Sequence, residues 1–139
     1  KGIDVSSEPA AQASSIHPNL TFFGVDILND DITQWEGKFD LLYIKDVLWY
    51  ICHDADKFIR RAKTLLKDSG GIYMMQSVPD RREYFGSDFF PSTFSIAEFL
   101  SDHFENIYTS STYEINSKRV VGDYAKDKYL RFLGSKLPA

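Results

Sequence analysis

The stretch FDLLYIKDVLWYI (residues 39–51) decides the fold of this chain. Its opening run is almost continuously apolar and ends at Lys45 and Asp46. Such a run is typical of a strand that is buried on both faces of a parallel sheet, with helices above and below it. We therefore predict a strand over residues 39–45 that is buried on both faces.

Three further segments share this pattern: KGIDVS (1–6), LTFFGVDILN (20–29) and LLKDSGGIYMMQSVP (65–79). Each is an apolar run that ends on an acid or a turn residue, and helical sequence lies between most of them. Alternation of this kind predicts an α/β fold in which crossover helices connect a mostly parallel sheet.

Capping residues predict where the helices begin and end. A short helix is predicted to start at Ser6, Ser7 and Glu8, with Pro9 in its first turn, and to continue over Ala10–Ser15. A longer one begins after an N-cap at Asp54. Gly70 and Gly71 are predicted to stop the longer helix in a left-handed conformation. The apolar stripe of that helix consists of Phe58, Ile59, Ala62, Leu65 and Leu66.

The last third of the chain predicts a later helix and a closing antiparallel hairpin. Ser95 and Glu98 form a predicted capping box for the helix. Residues 105–115 and 127–133 alternate like strands, and a polar connection containing Gly122 joins them. The aromatic side chains of Tyr84, Phe85, Phe89 and Phe90 are predicted to form either a lid over a site or a small satellite core.

Composition excludes several classes of protein. The chain has 139 residues, which predicts a single domain over residues 1–139. Its net charge of −4 argues against wholesale binding of nucleic-acid phosphates. The sequence contains no apolar run of about 18 residues, so we predict no membrane span. A single cysteine excludes an internal disulfide and fits the cytoplasm, and three scattered histidines lack the spacing of metal ligands.

Three predicted strands end in a carboxylate: Asp4, Asp26 and Asp46. Ligands of open α/β sheets bind beyond the carboxyl ends of the strands. A carboxylate there can accept both hydroxyl protons of a ribose, and one after the neighbouring strand can accept from the amine of adenine. The apolar neighbours Ile27 and Val47 would sandwich the base.

The ordered set of segments resembles the class I S-adenosylmethionine-dependent methyltransferases of the small-molecule type. The segments that carry the resemblance are GIDVS, FFGVDILN, FDLLYIKDVLWYI, LLKDSGGIYMMQSVP and FSIAEFLSDHFENI. The resemblance implies a Rossmann-like, mostly parallel sheet of strand order 3-2-1-4-5-7-6 with a closing antiparallel hairpin. Two departures are that Tyr50 stands where many members have His, and that Asp68 and Ser69 replace the common Pro before Gly-Gly.

The same resemblance implies which residues bind S-adenosylmethionine, with S-adenosylhomocysteine as product. Asp4, with Val5 beside it, would hold the ribose hydroxyls, and Asp26 would accept from the adenine amine while Ile27 packs on the ring. Lys45, Asp46 and Val47 would line the methionine side. The candidates for a general base are Asp46, Tyr50 and His53.

The family's first strand and its glycine-rich loop have no counterpart in the 139 residues, so we expect the sequence to be part of a longer protein. Without that strand the family's second and fourth strands lose their shared neighbour and leave open edges. We expect these two strands to pair directly, or an edge to be filled by a second copy in a homodimer.

Three hypotheses for function remain open. The first is methyl transfer to nitrogen or oxygen of a small metabolite, without a nucleic-acid or membrane partner. The second is a noncatalytic methyltransferase-like module that acts in binding or assembly. The third is another nucleotide-binding Rossmann-type protein, such as a nicotinamide-dependent reductase.

Overall fold

The computed structural model describes residues 1–79, 83–114 and 127–137. They fall into two compact units, Lys1–Trp35 and Glu36–Ala139, and each unit is described by itself. The single domain over residues 1–139 stays a prediction. Within the described ranges, no helix has the length and apolar character needed to cross a membrane.

The first unit is a strand–helix–strand crossover. Strand β1 (Gly2–Asp4) leads into helix α1 (Ser7–Ile16), and strand β2 (Phe22–Gly24) returns parallel to β1. The helix therefore begins at the predicted start, with Ser6 as N-cap, and extends one residue beyond the predicted end at Ser15. Trp35 ends a short 3-10 turn, is 6% exposed, and packs against the ring of Phe23 at a centroid distance of 5.1 Å.

The second unit is a four-stranded sheet with helices on one face. Its elements are β3 (Phe39–Lys45), α2 (Leu48–Ile51), a 3-10 turn (Cys52–Asp54), α3 (Ala55–Thr64), β4 (Leu66–Pro79), α4 (Thr93–Ser101), β5 (Phe104–Glu114) and β6 (Asp127–Lys136). Strand β3 pairs parallel with β4, whereas β6 runs antiparallel between β4 and β5.

The strand orders confirm the predicted fold class. The first unit gives the order β1-β2 and the second gives β3-β4-β6-β5. These orders correspond to strands 2-3 and 4-5-7-6 of the methyltransferase sheet. In the described residues β1 pairs with β2 and β3 pairs with β4. Direct pairing of the family's second and fourth strands, or an edge filled by a second copy, stays a prediction.

The core of the second unit lies between its sheet and the helices α3 and α4. Along β4 the inward side chains alternate with outward ones, as a strand requires when one face is covered. Burial of each large apolar side chain contributes about 1.5–3 kcal/mol. The fully buried members are Leu48, Ile59, Leu66, Ile72, Ile96, Leu100 and Phe132.

The prediction that residues 39–45 are buried on both faces is wrong. Leu41 and Tyr43 are 55% and 57% exposed, and Ile44 is the buried residue of β3. The reason is that β3 is the terminal strand of its sheet, and the helices α3 and α4 of this unit cover a single face.

Two predictions about the ends of α3 are also corrected. Helix α3 ends at Thr64, and Gly70 and Gly71 lie inside β4. The helix can end there because Gly37 N donates to Thr64 O at 2.9 Å and so satisfies a terminal carbonyl. Asp54 occupies the N-cap position of this helix, but its side chain makes no capping hydrogen bond.

The capping box of α4 lies three residues earlier than predicted. Ser92 is the N-cap and exchanges hydrogen bonds with Ser95, so the predicted partner Glu98 is one turn too far along the chain. The two strands of the predicted closing hairpin are confirmed and pair from Phe104↔Lys136 to Glu114↔Asp127. Their connection with Gly122 lies outside the described residues.

Candidate functional site

The first unit places two of the predicted carboxylates at the ends of neighbouring strands. Asp4 is the last residue of β1 and lies opposite Gly24, the last residue of β2. Val25 N donates to Asp4 O at 2.8 Å, so the ladder continues to the residue before Asp26. Parallel strands end at the same edge of a sheet, and Asp4 and Asp26 therefore leave one edge.

Asp4 also shapes the turn into α1. Its Oδ1 accepts a hydrogen bond from Ser6 N at 2.8 Å, which is the geometry of an Asx turn before a helix. Val5, between them, is exposed. In the described residues the hydrogen bond that the Asp4 carboxylate accepts falls on Oδ1, which leaves Oδ2 for a ligand.

Asp26 is held by a second turn of the same kind. Its Oδ1 accepts from Leu28 N at 2.8 Å, and its Oδ2 accepts from Asn29 Nδ2 at 2.7 Å. Asp26 N in turn donates to Asp30 Oδ2 at 2.8 Å. The neighbouring Ile27 is half-buried. The Asp26 carboxylate is thus fixed in orientation by the turn.

The second unit carries the other predicted residues, beginning where β3 ends. Lys45 is exposed and Val47 packs partly against the core. Asp46 between them has a φ of 52°, a left-handed conformation that few residues other than glycine adopt. Its Oδ1 accepts from Ser77 N at 2.7 Å, and this bond from the neighbouring strand holds the unusual backbone.

Sequence reasoning missed a buried glutamine beside Asp46. Gln76 is 0% exposed and is the one buried polar residue in the described part of the chain. Its Oε1 accepts from Leu48 N at 3.1 Å, and its Nε2 lies 3.5 Å from Asp46 Oδ1. The signal was present in the sequence, because Gln76 interrupts the inward series of Ile72, Met74 and Val78 in β4.

The candidate bases Tyr50 and His53 follow within the next turn and a half. Tyr50 lies in α2 and is 88% exposed. His53 is exposed, and its ring meets the edge of Phe89 at a centroid distance of 4.6 Å. In the described residues no hydrogen bond joins Asp46 to either of them. The structure thus brings the three onto one short segment without forming a triad.

The aromatic segment after β4 contains both exposed and buried side chains. Phe85 is exposed, whereas Phe90 is buried and its carbonyl accepts a hydrogen bond from Tyr84 Oη. Tyr84 packs edge-on against Trp49 at 5.4 Å. Burial raises the pKa of the Tyr84 phenol, and the charge of Lys128 opposes the shift. The segment is therefore pinned to the core at Tyr84 and Phe90 and presents Phe85 and Phe89 outward.

A polar cleft of about 530 Å³ lies away from these residues, between α3 and α4. In it His103 Nε2 lies 3.2 Å from Asp56 Oδ1, and Lys63 Nζ donates to His103 O at 2.8 Å. Burial lowers the pKa of His103, and the carboxylate of Asp56 opposes the shift. The cleft contains none of the predicted site residues, so we assign the candidate site to the strand ends.

Comparison with known proteins gives the family. The model of the methyltransferase domain family matches residues 1–74. No curated protein sequence matches the chain significantly. Among solved structures, the N-methyltransferase NodS from Bradyrhizobium japonicum, in complex with S-adenosylhomocysteine, is similar with a TM-score of 0.64 and 15% identity. The alignment covers 95% of this chain and 64% of that one, so the chain spans less than two thirds of NodS.

Two further structures have the same fold. A SAM-dependent methyltransferase from Methanosarcina mazei gives a TM-score of 0.72 at 15% identity over 99% of this chain and 82% of that one. The [4+2]-cyclase SpnF gives 0.68 at 13% identity over 99% and 66%. These likenesses support the fold, and the family match covers more than half of the sequence. This chain therefore belongs to the methyltransferase domain family, the S-adenosylmethionine-dependent family that its ordered segments predict.

Proposed function

We propose that this chain takes part in transferring a methyl group from S-adenosylmethionine to nitrogen or oxygen of a small metabolite. The observation that carries the proposal is the pair of carboxylates, Asp4 and Asp26, at the shared edge of β1 and β2 within the region that matches the family model. NodS and the StiE O-methyltransferase, which share the fold, are named for transfer to nitrogen and oxygen respectively.

The residues of the first unit fit the nucleoside half of the cofactor. Asp4 would bind the ribose hydroxyls through the Oδ2 that its turn leaves available. Asp26 is oriented by Leu28 N and Asn29 and would accept from the adenine amine. Val5 and Ile27 supply the apolar contacts next to these acids.

The residues of the second unit fit the methionine and acceptor side. When bound, the cofactor would supply an electrophilic sulfonium methyl group, and the thioether of S-adenosylhomocysteine would be the leaving group when the acceptor's nitrogen or oxygen attacks in line. The protein's residues would contribute mainly orientation and exclusion of water. Lys45 and Val47 would line the methionine side beside Asp46. A general base is required only by an acceptor that arrives protonated, and Asp46, Tyr50 and His53 are the candidates.

Titration calorimetry with S-adenosylhomocysteine tests the proposal. We expect saturable binding to the chain and a loss of about 10–100-fold in affinity for Asp4→Asn, because hydrogen bonds to a charged group contribute about 1.5–3 kcal/mol. Glu8→Gln makes the same charge change at an exposed position of α1 and should bind as the parent does.

Two results would contradict the proposal. Absence of binding to the parent chain would defeat the claim that these 139 residues bind the cofactor on their own, and it would leave the family assignment intact. Equal affinities of the parent and Asp4→Asn would show that the carboxylate pair is not the ribose site.

We further propose that the enzyme acts on a small molecule in the cytoplasm and forms a homodimer. Net charge, cysteine content and the edge of β3 support these proposals. The net charge of −4 does not favour nucleic acid, and the single cysteine, Cys52, is buried and unpaired. The outer edge of β3 has no strand partner in the described residues, and the neighbouring Leu41 and Tyr43 are exposed. Light scattering should give a dimer for the parent and a monomer for Tyr43→Lys, since a charged residue blocks edge pairing.

A further inference from the structure

Gln76 is an amide placed where an apolar side chain would be expected. It is fully buried between Met74 and Val78 on the inward face of β4. Burial of an amide is unfavourable unless its hydrogen bonds are replaced. An apolar residue would therefore serve better at this position if packing were its only role.

The two ends of the amide hold different groups. Oε1 accepts from Leu48 N, the first residue of α2, at 3.1 Å. Nε2 donates to Ser77 O at 3.1 Å and lies 3.5 Å from Asp46 Oδ1. Because Leu48 N is a donor, the oxygen must face it, which fixes the orientation of the amide.

The hydrogen bond from Leu48 N to Gln76 takes the place of an N-cap for helix α2. It has four residues, Leu48–Ile51, and its own N-cap residue Val47 makes no side-chain hydrogen bond. Helix starts need partners for their free N–H groups. Gln76 supplies one from the neighbouring strand, and Trp49 Nε1 adds a second tie by donating to Ser77 O at 2.9 Å.

Asp46 is anchored to the same place. Asp46 N donates to Met75 O at 2.9 Å, and Ser77 N donates to Asp46 Oδ1 at 2.7 Å. Its left-handed backbone, with a φ of 52°, therefore persists only while the end of β4 supplies these bonds. Gln76 lies between the two anchors.

We propose that Gln76 is a positioning residue of the methyl-transfer site, which fixes the Asp46 carboxylate and the first turn of α2 and thereby the placement of Tyr50. This inference rests on the proposed function, because it assigns the site that Gln76 serves. Because Gln76 itself is 0% exposed, it would act through Asp46 and α2 and not by touching the cofactor or the acceptor.

The test uses Gln76→Glu, which keeps the shape of the side chain. The carboxylate still accepts from Leu48 N, but its second oxygen now faces Asp46 Oδ1 and Ser77 O, which are both acceptors. When the new carboxyl group is ionised, it repels the Asp46 carboxylate. When it is protonated, it again offers a hydrogen-bond donor to these acceptors. Gln76→Met removes both hydrogen bonds at similar volume, and Gln12→Glu makes the same change at an exposed position of α1 as the control.

The first readout needs no ligand. In a Trp35→Phe background the indole ¹H–¹⁵N signal belongs to Trp49 alone, because the chain has two tryptophans. We expect Gln76→Glu to shift this signal at pH 8 and to restore it near pH 5, and Gln76→Met to shift it at both values. Hydrogen exchange of the Leu48 amide should accelerate by at least about tenfold in Gln76→Met, which removes the acceptor of this N–H. Gln12→Glu should change neither.

The second readout is the affinity for S-adenosylhomocysteine, relative to the parent at each pH. We expect Gln76→Glu to bind at least about fivefold more weakly at pH 8 and as the parent does at pH 5. Unchanged indole and amide signals in both Gln76 variants would overturn the inference, and so would parent-like affinity at pH 8. If the parent binds no S-adenosylhomocysteine, the proposed function fails, and the indole and amide signals alone decide whether Gln76 holds Asp46 and α2.

Discussion

Gly86 lies in the aromatic segment and packs closely against Trp49 of α2. Replacing Gly86 tests this contact. Its φ is +85°, and a β-carbon built on it would lie 2.9 Å from Cε3 of Trp49. Gly86→Ala therefore combines two penalties. A left-handed backbone with a β-carbon costs about 1–2 kcal/mol, and overpacking a well-packed neighbour costs typically about 1–3 kcal/mol.

Gly37 is a matched control in the same unit. Its φ is +64°, and a β-carbon built on it would meet nothing within 4 Å. Gly37→Ala carries the backbone penalty alone, and the gain from a less flexible unfolded chain, about 0.4–1 kcal/mol, is common to both variants. The difference between the two variants isolates the contact with Trp49, and we expect about 1–3 kcal/mol.

Urea unfolding followed by tryptophan fluorescence measures this difference. With an m value of about 2 kcal/mol/M, the midpoint for Gly86→Ala should lie about 1 M below that for Gly37→Ala. The native emission should also change in Gly86→Ala, because the indole of Trp49 must move. Equal midpoints with unchanged emission would show that the aromatic segment does not rest on Trp49 at Gly86.

Two further predictions concern the partly buried polar side chains of Tyr84 and His103. Tyr84→Phe leaves the carbonyl of Phe90 without its hydroxyl donor and should lower the free energy of unfolding by about 1–3 kcal/mol; a midpoint equal to that of the parent would contradict the bond. Burial holds the pKa of His103 below its ordinary value, so the unfolded chain takes up that proton first as the pH falls. The stability from this group should be complete above about pH 6.5 and be lost as the pH falls through the folded pKa. His103→Gln should reduce this decline in thermal unfolding, and Asp56→Asn, which removes the opposing carboxylate, should extend it to lower pH.

The elements were predictable because their signals are local. The inward series of β4 and the apolar stripe of α3 repeat with the periods of a strand and a helix. The end of α3 was not predictable from Gly70 and Gly71, because Gly37 N, almost thirty residues earlier in the chain, satisfies its terminal carbonyl. Exposure of Leu41 and Tyr43 likewise depends on which elements cover β3, and a run of apolar letters does not carry that information.

The three acids of the candidate site look alike in the sequence, but two of them have local hydrogen-bond partners and the third has a distant one. Asp4 and Asp26 each accept from the backbone N–H two residues later, at Ser6 and Leu28. Such turns form from a short segment, so their carboxylates can be located from local sequence alone. Asp46 accepts instead from Ser77 N, 31 residues away on the neighbouring strand.

This difference in partner gives the three acids different sensitivities to the rest of the fold. The turns at Asp4 and Asp26 persist as long as β1 and β2 do, because they contain their own hydrogen-bond partners. Asp46 keeps its left-handed backbone only through β4, whose end also binds Leu48 N through Gln76. A change in β4 is therefore transmitted to Asp46 and α2 together. Under the proposed function, Gln76 would control the acceptor side of the site from a buried position, whereas the sequence singles out acids, tyrosines and histidines that can reach the surface.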